Sequence, residues 1–151
     1  MTSWVTPTAI HSVCGAHASY PAANLIDGSL STFWAHLVNH LHWVVFDLGS
    51  SMEVTAVRLY VNYSPNDRID GVDVYVSDDP ANWGSPVAED LSFVGIWEWI
   101  QKSVTAKAGR YIKLENMNPQ STVNDINLWE FQAYTKLLKN LDLCMPSRGV
   151  L

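Results

Sequence analysis

Short runs of alternating apolar and polar residues, cut by turn residues, constrain this chain more than any other feature. Residues 43–48 (WVVFDL) are apolar and β-branched and stop at Gly49-Ser50-Ser51. Within 54–61, Val57, Leu59 and Val61 share one face and Arg58 and Tyr60 the other. Val72, Val74 and Val76 alternate with Asp73, Tyr75 and Ser77, and Ile112 and Leu114 alternate with Tyr111, Lys113 and Glu115. Residues 93–104 form a longer extended stretch, and 126–134 close the series. Period-two patterns bounded by Gly, Pro, Asn, Asp and Ser are a strand signature. Several of them, with no long 3.6-residue pattern between, predict an all-β antiparallel sandwich or barrel. The one helical turn predicted is 22–27, just before Gly28.

The length of 151 residues suits one domain, and 48% hydrophobic against 16% charged residues suffices for a core. The seven Trp, six Tyr and four Phe serve a core, a binding surface or both, and composition does not divide them. A net charge of −6 repels phosphate backbones, which argues against nucleic acid as a partner. No apolar run is long enough for membrane insertion as a spanning helix, and Met1-Thr2-Ser3-Trp4 lacks the charged start and apolar middle of an export signal. Residues 1–135 read as the domain. Residues 136–151, with Leu137, Leu138, Leu141 and Leu143 followed by Pro146 and Gly149, read as a tail or linker. Cys14 and Cys144 either close the domain as one disulfide or remain free thiols. Two cysteines without CxxC spacing are too few for a zinc cluster.

The order of the segments resembles the discoidin, or coagulation factor 5/8 type C, domain and the similar family 32 carbohydrate-binding modules. Ala18-Ser19-Tyr20-Pro21-Ala22-Ala23-Asn24-Leu25-Ile26-Asp27-Gly28 and Ser31-Thr32-Phe33-Trp34 resemble their opening. His42-Trp43-Val44-Val45-Phe46-Asp47-Leu48-Gly49 is similar to their W-to-DLG strand, and Val72-Asp73-Val74-Tyr75-Val76-Ser77-Asp78-Asp79 with Trp83-Gly84 to their VSDD segment. Gly109-Arg110-Tyr111-Ile112-Lys113-Leu114 and Trp129-Glu130-Phe131-Gln132-Ala133-Tyr134 complete five segments in order over roughly residues 10–135. The resemblance implies a jelly-roll, galactose-binding-domain-like β-sandwich. Function lives in the site rather than the fold.

The resemblance also implies a structural calcium ion in the first loop. Its ligands would be the Asp27 and Glu130 carboxylates and carbonyls of Asn24, Ser29, Thr32 and Trp129. Calcium favours such a mixed oxygen shell. The plainer alternative is that Asp27 caps the turn and Glu130 pairs with a surface base. For a glycan of galactose or N-acetylhexosamine type, the candidate ligands are His36, His40, Asn62, Tyr63, Asn66, Arg68 and Trp97, with the 118–124 loop. A sugar stacks its C–H face on a ring and binds its hydroxyls to polar side chains. Trp34 and Trp43 lie in fold motifs and are expected in the core, and Trp83, which follows another motif, is expected to be structural. Asp78-Asp79 and Glu89-Asp90 read as solvated turns, and no GxSxG, HExxH or phosphate loop is present. The expectation is a non-catalytic, calcium-stabilised lectin-like module of a larger extracellular protein. The rival is a structural or adhesion module whose partner is another protein chain or a second copy.

Overall fold

The computed structural model describes residues 1–38, 41–62, 69–119 and 126–138. Among these residues, nine strands follow the alternating pattern, with one short 3-10 helix. They are β1 (Thr2–Val5), β2 (Ala9–Val13), the helix (Ala22–Ile26), β3 (Trp34–His36), β4 (His42–Val61), β5 (Ile69–Ser77), β6 (Ala88–Phe93), β7 (Glu98–Pro119), β8 (Ile126–Leu128) and β9 (Glu130–Leu137). All pairings are antiparallel, and the main sheet runs β1-β9-β4-β7-β5-β6 with β2 also on β4; β3 pairs β8 separately.

The sequence reads β4 and β7 as two strands each; the structure makes each one long, bent strand. The register of β4 on β7 shifts between Asp47 and Met52 and again between Val54 and Ala56. Gly49, at φ +86, takes a left-handed conformation that a side chain disfavours. A bulge bends a strand without ending it. The first half of β4 (Val44–Asp47) pairs β2 and the last third of β7, whereas the second half (Met52–Tyr60) pairs β9. One hydrogen-bonded sheet therefore folds over on itself into two layers. Phe46 of one layer and Phe131 of the other stack between them, centroids 4.0 Å apart and planes 7° apart. Both are fully buried, with Trp34, Leu59, Ile112, Leu114 and Val57, Val74 and Val76 around them.

The motif residues lock this bend. Arg110 donates from Nε to Asp47 Oδ1 at 2.8 Å and from Nη2 to Oδ2 at 2.9 Å, and Arg110 beside Asp47 holds that carboxyl below its ordinary range. Ser77 Oγ donates to the carbonyls of Asp79 and Asn82 and accepts from the Asp79 amide, which closes the turn after β5. A Cβ built on Gly109 would lie 2.7 Å from the Ser77 backbone nitrogen and 2.8 Å from its carbonyl carbon. Backbone atoms cannot swing aside, so Gly109→Ala is expected to lower stability by about 1–3 kcal/mol, read as a lower urea midpoint with an unchanged slope.

Some expectations shift. Trp34 is buried, but Trp43 and Trp83 are only half-buried and line an outer cleft. Residues 94–97, read as strand, precede β7, and the last run breaks at Trp129. β9 reaches Leu137, with Lys136 opposite both Thr2 and Glu53, so the sandwich extends two residues past 135. Asp78 and Asp79 are exposed in a turn, whereas Glu89 and Asp90 are exposed on β6. Cys14 carries a free thiol; Cys144 and residues 139–151 lie outside the described residues.

Candidate functional site

A run of aromatic rings crosses one end of the sandwich. It starts at Tyr20, stacked on Phe33 at 4.4 Å and 17°. Phe33 lies 5.2 Å from Trp129, and Trp129 meets Trp97 edge to face at 5.5 Å and 75°. Tyr60 follows, 6.5 Å from Trp97 and 5.5 Å from Trp99. Trp129 is buried and Phe33, Tyr60 and Trp99 are half-buried, whereas Tyr20 is 37% exposed and Trp97 53%, beside Ile96 at 63%. Trp97 sits at φ +48, a region a bulky residue rarely adopts. The conformation is held because Tyr60 Oη donates to the Trp97 carbonyl at 3.0 Å and the ring rests on Trp129. Large apolar surface kept exposed by a braced backbone is a feature that ligand sites and protein interfaces share.

Trp129 joins this patch to the predicted metal loop. Its amide donates to the Tyr60 carbonyl, and it is followed directly by Glu130. Glu130 is 1% exposed, and among the described residues neither carboxylate oxygen has a well-formed hydrogen bond, although the Gly28 and Phe131 amides and the Asp27 side chain lie close enough to act on it. Burial, then the negative charge of Asp27, push its pKa up to about 7, against an opposing pull from the Gly28 and Phe131 amides. Asp27 ends the 3-10 helix. Its Oδ1 accepts from the Ser29 amide at 2.9 Å and its Oδ2 from Thr32 Oγ1, the short-range turn that Asp residues favour. Gly28 at φ +77 completes the turn. Asn24 Nδ2 donates to the Phe33 carbonyl, so that side chain serves the loop. The plainer alternative for this loop holds by half: Asp27 ties the turn, but among the described residues Glu130 pairs with no base. A buried, unpaired carboxylate against a second carboxylate is the donor set a hard cation fits.

Of the predicted sugar ligands, the structure brings Asn62 and Trp97 to the same end of the sheet, because Val61 pairs with Glu98. His36, half-buried on β3, is turned toward Cys14, its Nδ1 3.4 Å from the Cys14 Sγ. His40, Tyr63, Asn66 and Arg68, with 120–125 of the last loop, lie outside the described residues. Sequence reasoning did not find Tyr20, Phe33 and Tyr60 as ring partners; no local pattern ties them to Trp97. It also missed a cleft of about 270 Å³ lined by Ser12, Trp43, Val45, Pro80, Trp83, Lys113 and Glu115. There Lys113 bonds Glu115 at 3.2 Å and lies 5.0 Å over the Trp83 ring.

This folded-over antiparallel sandwich, with an aromatic patch and an acidic loop at one end, defines a β-sandwich binding module. The chain belongs to the F5/8 type C domain family, whose model matches residues 8–131. Among solved structures, it is similar to the family 32 carbohydrate-binding module of AlyQ, determined with 4,5-unsaturated mannuronic acid. That likeness is 25% identity and TM-score 0.72 over 87% of this chain and 97% of the other. The fold is also shared with the C-terminal domain of a Bacteroides fragilis chitobiase, at 21% identity and TM-score 0.77 over 91% and 100% of the two chains. A galactose complex of the family 32 module of Clostridium perfringens NanJ shares it as well, at 15% and 0.72 over 89% and 99%. A galactose oxidase of Gibberella zeae is 26% identical over 129 residues, 73% of this chain. The chain spans only 18% of that relative's length.

Proposed function

We propose that this chain is a non-catalytic carbohydrate-binding module, part of a larger extracellular protein, that holds a galactose- or N-acetylhexosamine-type glycan on the Trp97 patch. The observation that carries the reading is Trp97 itself: exposed, fixed by a left-handed backbone and backed by Trp129. The solved relatives determined with galactose, with N-acetylgalactosamine-β-1,3-galactose and with an unsaturated mannuronic acid support glycan as the ligand class. A calcium ion between Asp27 and Glu130 would be structural. It would balance the two carboxylates, with carbonyls of Asn24, Ser29, Thr32 and Trp129 filling the shell, and so keep the loop seated under Trp129.

The test is a glycan array followed by calorimetry with the best sugar. Trp97→Ala is expected to weaken binding by at least about tenfold, or ~1.4 kcal/mol, while the chain stays folded, because about half of Trp97 is already exposed. If Trp97→Ala bound as well as the unaltered chain, the patch would not be the site. Absence of binding to any sugar, with stable self-association, would instead support the adhesion module.

A further inference from the structure

The geometry points to a transition-metal site, separate from the calcium loop, formed by Cys14, His36 and His42 and suited to zinc(II). The Cys14 Sγ lies 3.4 Å from His36 Nδ1 and 3.8 Å from His42 Nδ1, and the two Nδ1 atoms are 3.3 Å apart. Zinc bonds to sulfur at about 2.3 Å and to nitrogen at about 2.0–2.1 Å, so ligand atoms at tetrahedral angles stand roughly 3.3–3.6 Å apart. A triangle with the observed sides has a circumradius of about 2.0 Å, so one point lies within bonding reach of all three atoms. One thiolate and two imidazoles are soft enough to favour zinc over calcium or magnesium. Among the described residues, no other His, Cys, Asp or Glu joins the group.

The three ligands come from separate parts of the chain and are held there. Cys14 follows β2, its amide bonded to the Trp43 carbonyl at 3.1 Å. The Trp43 amide donates back to the sulfur at 3.4 Å, the kind of bond that steadies a metal-bound thiolate. His36 ends β3, its ring seated where Gly15 has no side chain: a Cβ there would lie 2.5 Å from Nε2. His42 opens β4, fully buried, its ring edge-on to Trp34 at 6.3 Å. Trp34 Nε1 in turn donates to the Gly15 carbonyl at 2.9 Å. Without metal the three side chains form a hydrogen-bonded thiol–imidazole trio. On binding, the S–H bond breaks and an S–Zn bond forms. One proton leaves to solvent, no oxidation state changes, and each imidazole binds through an unprotonated Nδ1. The ion would pin β2, β3 and the start of β4 together.

Cobalt(II) titration of the reduced, calcium-saturated protein tests the site apart from the calcium and glycan readings. One equivalent is expected to give a thiolate-to-cobalt charge-transfer band with visible bands of a tetrahedral ion, and zinc should bleach both. Zinc should also block alkylation of Cys14, followed by mass spectrometry. Cys14→Ser should abolish the charge-transfer band and Cys144→Ser should leave it. His36→Gln should weaken binding by more than the roughly 10–100-fold typical of outer-shell partners. A featureless cobalt titration, zinc-insensitive alkylation, or a band that survives Cys14→Ser but not Cys144→Ser would overturn the proposal.

Discussion

Phe131→Ala is expected to lower the unfolding free energy by about 3–5 kcal/mol, the usual range for removing a fully buried Phe. For a domain of this size that is a fall of roughly 10 °C or more in melting temperature. The magnitude follows from position. Phe131 is wholly buried, and its ring lies flat on Phe46 at 4.0 Å, so the pair forms the contact between the two layers. Its neighbours sit on strands held by long hydrogen-bonded ladders, β4 on β7 and β4 on β9. They cannot collapse into the space, which places the loss toward the upper end. Phe131→Leu refills most of the volume and should lose about half as much or less. Denaturant midpoints with unchanged slope would check both. A loss under ~1 kcal/mol for the alanine variant would mean that the layers meet elsewhere. Trp97→Ala removes a larger ring and should cost much less stability, because about half of that residue is exposed.

The contrast between these two rings shows what a sequence can and cannot disclose here. The alternation of Val57, Leu59 and Val61 with Arg58 and Tyr60, and of Val72, Val74 and Val76 with Asp73 and Tyr75, named the buried faces correctly. A strand has period two wherever it lies. The bends were not legible. Gly49-Ser50-Ser51 looks like a turn between two strands, yet β4 runs through it, because a bulge and a chain reversal use the same residues. Nor could the sequence sort aromatics. Trp43 looks like core from its motif but points into the outer cleft, since it neighbours the buried Val44 in a strand. Trp97 shares period two with Trp99, yet its positive φ turns it out of the strand. The nearness of Asp27 and Glu130 was legible through their motifs, though they stand 103 residues apart in number. Cys14, His36 and His42 were not, because β2, β3 and β4 bring them together without a characteristic spacing.

Glu130→Gln is expected to have opposite effects with and without calcium. In chelator, Glu130 titrates near 7 in the folded chain against an ordinary 4.5. Between those values the native state holds more protons than the unfolded chain, so stability falls as pH rises through that window and levels off above it. At 1.36 kcal/mol per pH unit, the span from 4.5 to about 7 sets an upper bound of roughly 3.4 kcal/mol on the loss. Glutamine cannot ionise, so in chelator the variant should match the unaltered chain at pH 5 and exceed it at pH 8. With calcium at about a thousand times its dissociation constant, the unaltered chain should gain ~4.1 kcal/mol, more than the ionised carboxylate costs it. The glutamine variant, lacking one of the two anionic ligands, should gain little, so at pH 8 the order of stability reverses. Calorimetric melts at pH 5 and 8, in chelator and in calcium, give all four corners. A flat pH response in chelator would count against the buried, unpaired carboxylate. Equal calcium shifts in both proteins would place the ion, if any, away from Glu130.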